Sequence, residues 1–89
     1  MSEELIVYTN PSWEPCRMVK EFLSHENVDF IERNVVEDIK ARKELVKLKE
    51  EKNLSQINTP VIVRGEKIVI GYNREKINAL IVSSKSKNV

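Results

Sequence analysis

The chain has 89 residues, enough for one domain, with a core expected over about residues 4–82 and a polar, frayed tail at 83–89. Hydrophobic residues make up 40% and charged residues 33%, and 15 Lys and Arg balance 14 Asp and Glu. That near-neutral mixture excludes a disordered chain, argues against phosphate-driven nucleic-acid binding, and contains no apolar run near the roughly 20 residues of a membrane span.

Met1–Glu4 ends in two acidic residues and precedes only four apolar ones, so no secretory leader is expected. A cytoplasmic monomer is the default expectation. Leu5–Tyr8 is an unbroken β-prone run, the pattern of a strand covered on both faces. Thr9–Ser12 reads as a loop. Pro15, Cys16, Val19, Phe22 and Leu23 then recur at helical spacing, with Pro15 in the first turn, where a missing N–H costs nothing. Fraying is expected near His25–Asn27. Val28–Ile31 reads as a second strand, completing a βαβ unit with a right-handed crossover.

From Glu37 to about Asn53 the chain is charged, with Ala41, Leu45 and Leu48 in a stripe and Ile39 and Val46 beside it. The spacing predicts an amphipathic surface helix. Its lysines alternate with glutamates, which marks a solvated face rather than a basic docking face. Pro60 opens a strand at Val61–Val63, Arg64–Lys67 reads as a turn, and Ile68–Ile70 pairs back as a hairpin. Gly71-Tyr72 breaks the strand. Asn73 is placed to cap a last helix with Ile77, Leu80 and Ile81 on one face. The order β-α-β-α-β-β-α predicts an α/β fold, a four-stranded mixed sheet flanked by three helices.

Open sheets of this kind place their chemistry where a strand end feeds a helix N-terminus. Here that loop carries Trp13, Pro15 and Cys16. A thiol in the first turn of a helix meets unpaired N–H groups and the positive end of the dipole, which favour the thiolate. Arg17 would add to this if it turned toward the sulfur. The competing reading makes Cys16 a small buried hydrophobe. As the single cysteine, it excludes an internal disulfide and a cysteine-rich metal site. His25 reads as a surface residue suited to a helix C-terminus, and no second ligand stands at metal-binding spacing.

Tyr8-Thr9-Asn10-Pro11-Ser12-Trp13-Glu14-Pro15-Cys16-Arg17 resembles the active-site segment of a glutaredoxin. Thr59-Pro60 followed by a hairpin, then Gly71-Tyr72-Asn73 leading into a helix, is similar to the second half of that family. The resemblance spans about residues 4–82 in the family order. It implies a thioredoxin fold and thiol–disulfide oxidoreductase activity in redox homeostasis and electron transport, without a bound cofactor. Glutathione or a thioredoxin-reductase-type reductant is the implied electron donor, and a disulfide-containing protein or glutathione the implied partner. In the family a Cys-x-x-Cys pair heads the first helix and its first cysteine attacks. Cys16 falls at the second, resolving position, and Trp13 occupies the first.

That departure has a chemical consequence. Exchange requires an accessible thiolate to attack and a second thiol to release the mixed disulfide. Indole offers only an N–H donor, and nothing near Ser12 reads as a base. An impaired oxidoreductase is therefore expected; the rival reading is a redox-inactive thioredoxin-fold module that holds an extended peptide or thiol ligand. Codons for cysteine and tryptophan differ at one base, so a single-base change separates this chain from the two-cysteine pattern.

The resemblance assigns the remaining cleft residues. Pro60 corresponds to a cis-proline facing the active site, whereas the residues alone allow it simply to start a strand. Thr59 would pair its backbone with substrate peptide or glutathione, like an added strand. Gly71, Tyr72 and Asn73 would contact ligand beside a helix start. Asn10 stands where many glutathione-using members carry lysine, and Gly71-Tyr72-Asn73-Arg74 replaces their Gly-Gly pair with acidic residues. Trp13 and Tyr72 are candidates for an apolar lip over Cys16, against Trp13 as an exposed loop residue.

Overall fold

A computed structural model of the chain describes residues 4–85, the side chains of 83–85 excepted. The elements are β1 (Leu5–Thr9), α1 (Glu14–His25), β2 (Ile31–Asn34), α2 (Ile39–Glu51), β3 (Val61–Arg64), β4 (Lys67–Ile70) and α3 (Arg74–Lys85). The strands form one mixed sheet in the order β2-β1-β3-β4. Strand β1 runs parallel to β2 and antiparallel to β3, and β3 runs antiparallel to β4. This is the thioredoxin fold that the element order and the resemblance predict.

Side-chain alternation along β1 sorts two cores. Leu5 and Val7 pack with Val19, Leu23, Ile62, Ile77 and Leu80 on the face covered by α1 and α3. Tyr8 and Ile6 turn the other way, toward Leu45, Leu48, Val61 and Val63 under α2. A strand covered on both faces has no polar side to show, which is why β1 reads as an apolar run. The hairpin turn is tighter than expected. Arg64 pairs with Lys67 inside the ladder, and Gly65 supplies the positive φ of 62° at the first of the two remaining turn residues.

Three boundaries differ from the sequence reading. Helix α1 does not fray at His25–Asn27. Asn27 takes a left-handed conformation with φ 58°, Val28 N–H donates to the Leu23 carbonyl at 3.0 Å, and Asn27 N–H donates to Ser24 at 3.1 Å. Those paired bonds close the helix as a Schellman motif, with asparagine in the place glycine usually takes. Helix α2 ends the same way: Asn53 has φ 57°, Leu54 bonds back to Lys49 and Asn53 to Glu50.

The second strand is the next correction. Val28 and Phe30 pack against the α1/α3 core while leading up to the sheet, and the ladder itself begins at Ile31 and runs to Asn34. Val28 is apolar because the helix closure buries it, not because it belongs to a strand. The third correction concerns the tail. Ser83–Lys85 continue α3, and residues 86–89 lie outside the described residues.

An edge strand can carry polar side chains, and β2 uses them to tie its neighbours together. Arg33 donates to Glu44 on α2 through Nε at 3.1 Å and Nη2 at 2.6 Å, and Tyr8 Oη donates to the same carboxylate at 3.2 Å. On the other face the buried Thr9 hydroxyl donates to Glu32 at 2.8 Å, and Lys20 Nζ from α1 joins it at 3.0 Å. Partial burial pushes the Glu32 carboxyl up, but the Thr9 hydroxyl and the Lys20 ammonium outweigh it and hold the group below the usual carboxylate range.

Thr9→Val removes one of these donors at nearly constant shape. Glu32 is then expected to titrate nearer its ordinary value, with a stability loss of about 1 kcal/mol at neutral pH. A depressed carboxylate adds stability above its unfolded pKa and loses it as pH falls through the folded one, so parent and variant should converge in acid. Carboxyl NMR titration and urea midpoints at neutral and acid pH check both statements.

Candidate functional site

The loop between β1 and α1 is built on Asn10. Its side-chain Oδ1 accepts from Ser12 N–H at 3.0 Å, and its carbonyl accepts from Trp13 N–H at 2.9 Å. Its own backbone N–H donates to Cys16 Sγ at 3.3 Å. An asparagine that bonds the backbone two residues ahead nucleates a tight turn by itself. One residue thus fixes both the path into the helix and the place of the sulfur.

Trp13 takes the N-cap position of α1 with extended backbone, φ −104° and ψ 120°. Its carbonyl accepts from Cys16 and Arg17 N–H at 3.1 and 3.4 Å. The indole gives no side-chain cap, and Pro15 sits in the first turn, where it has no N–H to satisfy. Exposure separates the two positions of the motif. Trp13 is 53% exposed, and Cys16 is 1% exposed. The outer position therefore presents an indole to solvent, while the thiol lies inside.

Arg17 does not turn toward the sulfur. Its guanidinium is held along the helix surface by Glu14 one turn back and by Glu21 one turn ahead, the latter at 2.7 Å. Two carboxylates at helical spacing outcompete a buried thiol for that cation.

The second half of the site comes from the start of β3. The Thr59–Pro60 peptide bond is cis, and Pro60 is fully buried. It lies one residue before Val61, whose partner on β1 is Tyr8, so Pro60 stands beside Thr9 at the Cys16 end of the sheet. The Pro60 carbonyl accepts from Gly71 N–H at 2.8 Å, which draws the end of β4 to the same place. Gly71 has φ 89°, a conformation open to glycine at little cost. Asn73 then caps α3, its Oδ1 accepting from Lys76 N–H at 3.0 Å. Topology and these bonds place Trp13, Cys16, Thr59, Pro60, Gly71, Tyr72 and Asn73 at one end of the sheet.

A further outcome concerns the expected lip. Tyr72 packs against the α1/α3 core, while Trp13 projects into solvent as the exposed-loop reading has it. His25 is 87% exposed at the far end of α1, and no group of His, Cys, Asp and Glu among the described residues is arranged to hold a metal. No helix among the described residues is long and apolar enough to cross a membrane. Sequence reasoning missed Asn10 as a positioning residue and Thr9 as a buried hydroxyl beneath the loop. The signal for Asn10 was present, since asparagine two residues before Ser12 is a turn-forming pattern.

A family model described as glutaredoxin matches residues 5–69. An uncharacterized glutaredoxin-like 8.6 kDa protein in the rubredoxin operon of Clostridium pasteurianum is 35% identical over 75 residues, covering 84% of this chain and 93% of that one. Among solved structures, a thioredoxin-like protein is 36% identical with a TM-score of 0.72, over 86% of this chain and 99% of that one. The glutaredoxin of Archaeoglobus fulgidus is 32% identical with a TM-score of 0.72, over 89% of this chain and 86% of that one.

The enclosed sulfur has a measurable consequence. A bulky aromatic disulfide is expected to modify Cys16 only through local opening, roughly 100-fold more slowly than in the unfolded chain. A small alkylating reagent should show a smaller gap. Time courses followed by intact-mass spectrometry, with and without denaturant, measure both ratios. Matching native and denatured rates for the bulky reagent would show that the thiol is accessible.

Proposed function

The chain belongs to the glutaredoxin family, and from that membership we propose that it is a thiol–disulfide oxidoreductase of cytoplasmic redox homeostasis whose two-cysteine exchange is impaired by Trp13. One observation carries this reading: the N-cap position that the family uses for attack is exposed and holds an indole, while Cys16 is enclosed. Glutathione or a thioredoxin-reductase-type donor is the reductant of the reading, and a protein disulfide or glutathione its partner. Thr59, Pro60, Gly71, Tyr72 and Asn73 form its ligand side.

The chemistry follows from the geometry of the first turn. A thiolate at position 13 would attack one sulfur of a substrate disulfide, forming a mixed disulfide and expelling the other sulfur as a thiolate. Cys16 would then attack the sulfur at position 13, releasing the second substrate thiol and leaving an internal disulfide. The substrate gains two electrons and the protein loses them. Position 13 is the N-cap of the helix whose first turn carries Cys16, and a disulfide between the two would bring their Cβ atoms to about 3.5–4.5 Å. With indole at position 13 the first step has no nucleophile, and Cys16 remains as a resolving thiol with nothing to resolve.

Trp13→Cys is expected to raise the reduction of a glutathione mixed disulfide, and of a protein disulfide, on the order of 100-fold over the parent. Loss of an exposed side chain outside the core should cost about 0.5 kcal/mol or less. Coupled assays with excess reductant, with denaturant midpoints alongside, read both. Equal activity in parent and variant would remove position 13 from the reaction.

The ligand side has its own test, which needs no catalysis. Trp13 stands at the rim of the proposed cleft, so its emission is expected to shift when glutathione or a cysteine-containing peptide is added. The Thr59 amide resonance should move over the same concentration range. Silence of both probes at millimolar ligand would mean that the cleft does not bind these thiols.

A further inference from the structure

The sequence reading takes α2 as a solvated surface because its lysines alternate with glutamates. The folded helix separates the two signs. Between Lys40 and Lys49 five cations accompany one carboxylate, Glu44. That carboxylate turns to the sheet, where it accepts from Arg33 and from the Tyr8 phenol. Asp38 is also engaged, capping the helix through the N–H groups of Lys40 and Ala41. Glu50 and Glu51 stand beyond the cations, at the end of the helix.

The lysines themselves are left without counter-charges. None of Lys40, Lys43, Lys47 and Lys49 pairs with a carboxylate among the described residues. Arg42 donates through Nε and Nη2 to the Val35 and Val36 carbonyls at 3.1 and 3.2 Å. Those acceptors are neutral, so the charge of its guanidinium is not offset.

Apolar exposure falls on the same helix. Ile39 is 64% exposed and Val46 50% exposed, although Ala41 and Leu45 already give α2 its buried face. Seven residues make about two helical turns, so Ile39 and Val46 stand in one line, about 10 Å apart along the axis. The same periodicity sets Lys40, Lys43 and Lys47 on one flank of that line, and Arg42 and Lys49 on the other. The helix therefore carries a second, outward apolar stripe with cations on both sides.

The flanks select what can cover the stripe. A second copy of the chain laid on it would set cations against cations. A bilayer would welcome the charge, but two aliphatic side chains with no aromatic beside them make a weak interfacial anchor. An amphipathic helix with an apolar stripe and acidic flanks meets both features at once. We propose that the outward face of α2 docks such a helix from a partner protein. Its apolar side chains pack over Ile39 and Val46, and its carboxylates face Lys43 and Lys47 on one side and Arg42 on the other. This face lies outside the Cys16 cleft and stands or falls independently of the redox reading.

The test uses the parent chain and a capped peptide of about 18 residues, long enough to form a helix, with leucines at helical spacing and glutamates on both flanks. Two controls keep its length: one scrambled at constant composition, one with lysine in place of glutamate. The acidic amphipathic peptide is expected to move the amide resonances of Ile39, Lys43 and Val46 in a saturable way. Lys43→Glu and Val46→Ser should each weaken binding roughly tenfold, and amide spectra unchanged away from α2 confirm the fold of both variants. Added salt should weaken binding to the parent. Each of the following would overturn the proposal: no response at millimolar peptide, equal binding of either control, shifts confined to the Thr59 and Gly71 end, α2 shifts on vesicles of phosphatidylserine and phosphatidylcholine that the peptide does not displace, or sedimentation showing a dimer that Val46→Ser dissociates.

Discussion

The antiparallel register of β1 with β3 is the constraint from which the rest of the molecule follows. Val7 opposite Ile62 sets two fully buried side chains into one core, and Tyr8 opposite Val61 sets the other. A slip of one residue would exchange the faces, turning the apolar set of each strand toward the wrong helix layer. It would also carry Pro60 away from Thr9 and the loop that holds Cys16. Packing and site geometry therefore share one determinant, and they cannot be disturbed separately in the middle of the sheet.

The cations nearest the site, on α1 and β2, are engaged by carboxylates close to them. Arg17 is engaged by Glu14 and Glu21, Lys20 by Glu32, and Arg33 by Glu44 and Asp38. Exposed pairs of this kind contribute little to stability. Their greater effect is to leave the thiol's surroundings to backbone groups. What the sulfur meets is an amide N–H from Asn10 and the start of a helix, both of which are set by the chain path rather than by a mobile side chain. Burial of the Tyr8 phenol, with the Glu44 carboxylate beside it, pushes that group up and keeps it a neutral donor within the α2 layer.

Much of this was legible in the sequence, for identifiable reasons. The helices announced themselves through periodicity, three of the four strands through unbroken apolar runs, and Asn73 as a cap through its place before an apolar stripe. Asn27 and Asn53 were not recognised as helix closures, because the left-handed conformation is glycine's by default and asparagine's only by context. The second strand was misplaced for a related reason. Val28 and Phe30 are apolar through contact with the core below the sheet, and the true strand, Ile31–Asn34, is polar because it lies at an edge and spends its side chains on ion pairs. At the site, residue identity located Cys16 and Trp13 but could not divide them by exposure. Helical spacing places a first-turn cysteine near both solvent and core, and only the turn built on Asn10 decides between them.

The uncapped start of α1 makes the molecule modular. The indole at position 13 gives the helix no hydrogen bond and takes no place in either core. Folding asks little of that side chain beyond an extended backbone. In many enzymes the reactive group is bought with stability, so that gain of chemistry and loss of fold come together. On the reading proposed above the two are uncoupled at a single locus, and the side chain that would carry the reactivity can be exchanged in either direction without an unstable intermediate in sequence space.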